Sequence, residues 1–149
     1  MLHAIVDCVW IHREDVSRQE KRELANRFAK RVSREIGIPL EYEDLYHFIG
    51  FLPSRVHGAG SLTKYWAYGE KGLKVRGIES RQHSTCNWIK NLQSMALQIL
   101  VDCVNDGIDV RSKHVQNVIC HLLHDELIKL SGGQICFGDL VVTRRVSKT

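Results

Sequence analysis

Leu2 to Ile11 reads LHAIVDCVWI, a run of strand-forming, mostly apolar residues with a single carboxylate, Asp7, near its centre. No glycine or proline interrupts the run, which predicts one β-strand. Because side chains alternate along a strand, Ile5 and Asp7 share one face, and both faces are mostly apolar. The run therefore predicts a strand covered on both sides. A carboxylate buried there is costly unless it is paired or holds a metal, and the alternative is a strand-end acid that reaches solvent or an arginine.

A helix is predicted after this strand. Asp15 or Ser17 can cap it, and Ser17 and Glu20 have the spacing of a capping box. Apolar residues repeat from Leu24 to Phe28 and beyond, and Gly37 is a stop signal. A solvated surface is the default interpretation of its basic outer face, and a phosphate-binding face is the alternative. The basic residues of that face are Arg18, Lys21, Arg22, Arg27, Lys30, Arg31 and Arg34.

Three further strands are predicted next. Residues 40–51 alternate loosely, and 64–68 and 73–78 read as a hairpin joined by Gly69-Glu70-Lys71-Gly72. The first part of the chain is thus predicted to be a βαβββ antiparallel sheet with one packed helix.

The period of the apolar residues then changes from two to that of a helix. Two amphipathic helices are predicted, one from Trp88 to Cys103 and one from Val115 to Leu127, and they would form an antiparallel hairpin. The basic stretch DLVVTRRVSK, residues 139–148, is expected to be extended. The predicted class is α+β, with one subdomain over 1–82 and a helical one over 83–149.

Composition narrows the class of protein without fixing its function. The chain has 149 residues and a net charge of +4, which permits a nucleic-acid partner but does not require one. Its five cysteines contain no CxxC pair, so reduced thiols are expected. The sequence contains no apolar run of about 18 residues, so no membrane-spanning helix is predicted. Because no export signal is recognisable either, we expect a cytoplasmic protein.

Two groups of residues are candidates for chemistry. Glu41 and Glu43 would share a strand face and could hold a divalent metal, although two exposed acids on an edge strand are more common. Lys64 and Tyr65 precede a turn, after which Arg76 stands beside Gly77. A bare backbone next to a guanidinium suits close approach to phosphate, and a strand-end glycine with a solvated arginine is the alternative.

Taken in order, these motifs resemble the C-terminal part of a family-B DNA polymerase over nearly the whole chain. That family has a Tyr-x-Asp-Thr-Asp strand, a helix, a Glu-x-Glu strand, a Lys-Lys-Arg-Tyr-like strand, an Arg-Gly-Leu-Glu-like turn and a helical thumb. The corresponding stretches here are HAIVDC (3–8), EYE (41–43), TKYWAY (63–68) and RGIE (76–79), followed by the two helices and DLVVTRRVSK.

The departures from the family pattern concern catalysis. His3 and Ile5 replace the tyrosine and first aspartate of the metal motif, and only Asp7 is retained. The family's other metal-binding strand, its fingers helix and its exonuclease domain have no counterpart in this sequence. The chain is thus similar to inactivated archaeal family-B paralogues, with a partial palm and a truncated thumb.

The resemblance implies specific roles for residues. Asp7 would be a vestigial catalytic metal ligand, with Glu41 and Glu43 as weaker metal candidates, and Mg²⁺ would bind only if a partner chain supplied the missing palm and fingers. Contacts to duplex or primer–template DNA would come from eight residues. They are Lys64, Tyr65, Arg76, Gly77, Arg81, Arg144, Arg145 and Lys148.

Three functions follow as expectations. The first is a DNA-binding palm–thumb module or fragment of a polymerase, inactive on its own, that acts in replication or repair. The second is the C-terminal subunit of a split DNA polymerase that becomes active with a partner chain. The third is a non-catalytic assembly protein of a replication or repair complex. An unrelated βαβββ domain with two helices fits the ordered motifs least well.

Overall fold

The computed structural model describes residues 3–5, 8–54, 58–78, 82 and 84–143, and its secondary structure confirms the predicted α+β class. Contacts divide the chain into two compact units, Met1–Lys74 and Val75–Thr149. The division into a palm over 1–82 and a thumb over 83–149 stays a prediction. The elements are β1 His3–Ile5, β2 Cys8–Trp10, α1 Arg18–Ile36, β3 Tyr46–Pro53, β4 Gly60–Gly69, β5 Gly72–Arg76, α2 Asn87–Asn105, α3 Lys113–Ser131 and α4 Phe137–Leu140.

The first strands form a hairpin. β1 pairs antiparallel with β2, with His3 opposite Trp10 and Ile5 opposite Cys8. The prediction of one strand over residues 2–11 is therefore wrong, and the described strands form a two-stranded and a three-stranded sheet instead of one βαβββ sheet. Two short strands have the same residue preferences as one long strand. Pairing within the run satisfies backbone groups without a distant partner.

Helix α1 begins and ends as predicted. Ser17 and Glu20 form a reciprocal capping box, and Gly37 ends the helix with a left-handed φ of 70°. Its packing on the sheet is only partly as expected. Ala29 is buried, but α1 makes only sparse contacts with the described strands, and Leu24 and Phe28 are half-buried.

The three-stranded sheet runs in the order β3-β4-β5, and β3 starts later than predicted. Residues 41–45 are irregular, because the Asp44 carboxylate accepts hydrogen bonds from the backbone N–H groups of Leu45 and Lys71. Such local side-chain bonds compete with a strand ladder. The predicted hairpin between β4 and β5 is confirmed, with Glu70 and Lys71 at its turn.

The core of the first unit is aromatic. Tyr65, Trp66 and Ala67 are buried on β4, and the Trp66 ring stacks on Phe48 with centroids 4.9 Å apart. Gly50 lies opposite Trp66, where a Cβ atom would be 2.6 Å from the indole nitrogen. The close approach of the Trp66 ring to β3 therefore requires glycine at position 50.

The second unit is helical. α2 contacts α3 and α4, and the Ser112 side chain caps α3 by accepting the Val115 N–H. Gly107 and Gly133, both with positive φ, follow α2 and α3. The short helix α4 was not predicted. The expectation that residues 139–148 are extended is therefore wrong at Asp139 and Leu140. Among the described residues, no helix is long and apolar enough to cross a membrane.

A buried carboxylate joins α2 to α3. Glu126 accepts a hydrogen bond from Trp88 Nε1 at 3.2 Å and one from Lys129 Nζ at 2.6 Å. The hydrogen bond from Lys129 holds the pKa of Glu126 below its usual value, with a smaller contribution from Trp88, while burial acts in the opposite direction. The charged form of Glu126 therefore stabilises this helix pair.

We predict that acid destabilises the second unit through Glu126. A folded-state pKa below the ordinary value of 4.5 gives stabilisation that is complete above that pH and is lost as the pH falls through the folded-state pKa. Glu126→Gln should be less stable at neutral pH and should lose less stability on acidification. Thermal unfolding followed by far-UV circular dichroism across pH measures this. An identical pH dependence in both proteins would exclude the role of Glu126.

Candidate nucleic-acid interface

Three of the predicted DNA-contact residues lie at the surface. Lys64 is exposed on β4, Arg76 is exposed at the end of β5, and Gly77 is exposed with a φ of 62°. Among the described residues, neither basic side chain has a carboxylate within ion-pair distance. With respect to the described acids, both cations are therefore available to a phosphate.

Tyr65 occupies a different position from the one its predicted role requires. Its side chain is 5% exposed, and its ring lies 5.4 Å from Trp10 and 5.8 Å from Phe51, centroid to centroid. The residue therefore supports the aromatic core, and direct contact with DNA would need this core to open. The other predicted residues, Asp7, Arg81, Arg144, Arg145 and Lys148, lie outside the described residues.

The two predicted metal-binding glutamates lie apart from any strand, and the described residues bring no third ligand to them. Both lie in the irregular segment before β3, so the prediction that they share a strand face is wrong. Glu41 is exposed, and Glu43 Oε1 lies 2.5 Å from Lys74 Nζ. Nowhere in the described part do three or more histidine, cysteine, aspartate or glutamate side chains form a group able to hold a metal ion. The described carboxylates therefore do not fit the divalent cation that the family resemblance implies.

Lys74 is a partly buried cation with several specific contacts, and the sequence analysis did not identify it as a site residue. Besides its pair with Glu43, its ammonium lies 5.8 Å from the Trp10 ring centroid and 5.9 Å from that of Tyr46. Burial lowers the Lys74 pKa, but the hydrogen bond to Glu43 and the nearby phenols of Tyr46 and Tyr65 outweigh it, so the pKa is raised overall. The sequence feature that could have identified Lys74 is a lysine placed between Leu73 and Val75 in a strand.

A groove of about 970 Å³ lies in the first unit, between α1 and the segment formed by β2, residues 40–45 and the start of β3. We call it the α1 groove. Its aromatic lining consists of Trp10, Phe28, Tyr42, Tyr46 and Phe48. Its basic lining consists of Arg13, Lys21, Arg27 and Arg31, and its acidic lining of Glu41, Glu43 and Asp44. Sequence reasoning identified the basic face of α1 but not the groove beneath it.

Two buried polar atoms near the α1 groove have no hydrogen-bond partner in the described part of the chain. They are Trp10 Nε1 and the Tyr42 hydroxyl. Burial raises the Tyr42 pKa, and Arg22 opposes this shift from nearby without satisfying the hydroxyl geometrically. The Arg22 guanidinium instead binds Glu70 at 2.6 Å. Tyr42 therefore stays protonated at neutral pH.

Comparison with protein-family models and with curated proteins finds no match to this chain.

We predict that Lys74→Ala destabilises the first unit by about 1–2 kcal/mol, because it removes cation–π contacts in a partly desolvated setting. Urea unfolding followed by tryptophan fluorescence measures the change. Lys30→Ala is the matched control, because Lys30 is exposed and its side chain has no ion pair with a described residue. The control should change stability by less than about 0.5 kcal/mol. Equal losses in the two variants would contradict the role of Lys74.

Proposed function

We propose that the chain is a DNA-binding palm–thumb module of a family-B DNA polymerase that holds duplex or primer–template DNA and does no chemistry on its own. The ordered motifs support this proposal, from HAIVDC through RGIE to the helical second unit. Its setting would be DNA replication or repair in the cytoplasm. Family membership, function and compartment are all part of the proposal.

The single observation that carries the proposal is the turn at Arg76 and Gly77. Gly77 has a left-handed φ of 62°, which a residue with a side chain adopts only with strain. The exposed guanidinium of Arg76 thus stands next to an exposed backbone that carries no Cβ. Guanidinium and bare amide together suit the oxygens of a phosphodiester, and such contacts position a duplex without reading its sequence.

The proposal that the chain does no chemistry on its own is supported by its carboxylates. Phosphoryl transfer by two metal ions needs carboxylates that bridge the two cations. Ile5 replaces one such carboxylate of the family, and Glu43 is held by Lys74. Mg²⁺ therefore enters the proposal only through a partner chain.

We predict that Arg76→Ala weakens duplex binding and lowers its dependence on salt. Each neutralised phosphate contributes about 0.9 to the slope of log affinity against log salt, so the slope should fall by about that amount. Fluorescence anisotropy with a labelled duplex, measured between about 50 and 200 mM salt, gives the slope. Arg111→Ala is the matched control, because the Arg111 guanidinium is exposed but contacts Asp109.

Two results would contradict the proposal. One is the absence of duplex binding by the wild-type chain at low salt. The other is an equal loss of slope in Arg76→Ala and Arg111→Ala, which would show that net charge alone accounts for binding. A chain that binds no DNA but forms a stable complex with another replication or repair protein would instead fit an assembly role.

A second candidate function is a polymerase subunit completed by a partner chain. The observation that favours it is the exposed apolar surface at β2, where Val9 and Ile11 are 42% and 54% exposed. A partner that supplied the missing palm strand could cover these side chains. The expected result is primer extension in Mg²⁺ after mixing with such a partner, and its loss in Asp7→Ala. Extension that survives in Asp7→Ala would remove Asp7 from the reaction.

A further inference from the structure

The α1 groove is long enough for a chain-like ligand. Lys21, Phe28 and Arg31 lie on one face of α1, at i, i+7 and i+10, and all three line the groove. At 1.5 Å per helical residue, the two cations are separated by about 15 Å along the helix axis. A single small ion would use only part of this length, whereas a polymer would pass both.

The charges of the α1 groove favour a polyanion. Among the described residues, Arg13, Lys21 and Arg27 have no carboxylate within ion-pair distance. Of the acids that line the groove, Glu43 binds Lys74, whereas Glu41 and Asp44 form no ion pair with a described residue. Asp44 accepts two backbone hydrogen bonds, which leave its negative charge in place. Three cations without an ion pair therefore line the groove with two such acids, and positive charge is in excess. A neutral apolar peptide would leave those cations without counter-charges.

Aromatic rings give the α1 groove a second chemistry. Phe28 is half-buried on the groove face of α1, and the Arg31 guanidinium lies 6.0 Å from its ring centroid. Tyr42 also lines the groove. Arg31 also pairs with Glu35, with 3.7 Å between Nε and Oε1. Flat rings in a groove that also carries cations are the arrangement that binds unpaired bases and their phosphates together. A duplex, whose bases are already stacked, cannot use the rings.

We propose that the α1 groove binds a single strand of nucleic acid, with phosphates on Arg13, Lys21 and Arg27 and a base against Phe28. The proposal goes beyond duplex binding at Arg76 and does not depend on it, since every residue of the groove belongs to the first unit. Single-stranded DNA and RNA share the phosphates and bases that the groove would bind. They differ in the sugar, which the test below distinguishes.

The test is fluorescence anisotropy with labelled oligothymidylate and oligouridylate at low salt, using the full chain. Phe28→Ala should weaken single-strand binding about tenfold, as expected for the loss of one stacked base, and should leave duplex binding unchanged. Arg27→Ala should lower the single-strand salt slope by about 0.7. Tighter binding of one oligonucleotide identifies the natural sugar.

Matched controls separate groove binding from general charge and from misfolding. Arg34→Ala removes a cation of the same helix that does not line the groove, and Phe137→Ala removes a ring that is 81% exposed on α4. Both should bind as the wild type does. Phe28→Leu keeps the apolar packing without the ring and should still lose single-strand affinity.

Three results would overturn the proposal. They are unchanged binding by Phe28→Leu, equal loss in Arg34→Ala and Arg27→Ala, and no binding of either oligonucleotide by the wild type. If duplex binding at Arg76 fails while oligonucleotide binding persists, the polymerase proposal fails alone.

Discussion

The Lys74 ammonium, held by Glu43 and faced by the rings of Trp10 and Tyr46, is the interaction on which the arrangement of the first unit depends. It joins β5 to β2, to the start of β3 and to the irregular segment that precedes β3. Trp10 also contacts Tyr46 and Tyr65, so the same cluster ties the hairpin of β1 and β2 to the three-stranded sheet. Removing the rings or the carboxylate would leave the Lys74 ammonium as a poorly solvated charge. The cluster therefore holds β5, β2 and the start of β3 together.

Local signals in the sequence were sufficient wherever the structure is local. The capping box of Ser17 and Glu20, the stop at Gly37 and the β4–β5 turn are read from neighbouring residues, and the structure has all of them. Contacts between distant residues were not readable. The pair of Glu43 with Lys74 and the burial of Tyr65 each depend on partners that no spacing rule identifies. The split of residues 2–11 into a hairpin is local, but residue preferences do not distinguish two short paired strands from one long strand.

The residues of the candidate site also separate into those that local sequence features predict and those that they do not. The exposure of Lys64, Arg76 and Gly77 agrees with a role at a phosphate backbone. These positions could be predicted because they depend on local features, namely an alternating strand pattern and a glycine after an arginine. The prediction that Glu41 and Glu43 share a strand face was wrong, because it assumed a strand where Asp44 accepts hydrogen bonds from backbone N–H groups. The α1 groove was hidden in the sequence, because the same basic residues also fit an ordinary solvated helix face.

The central claim is that this chain binds nucleic acid through an exposed guanidinium beside a bare backbone turn. Amide NMR spectra of the isotope-labelled chain, recorded with and without duplex DNA at low salt, test it most directly. The account predicts large shifts of the Arg76 and Gly77 amides, with the amides of α3 unchanged. Spectra in which Gly77 does not move while other amides do, or in which nothing moves, would contradict it.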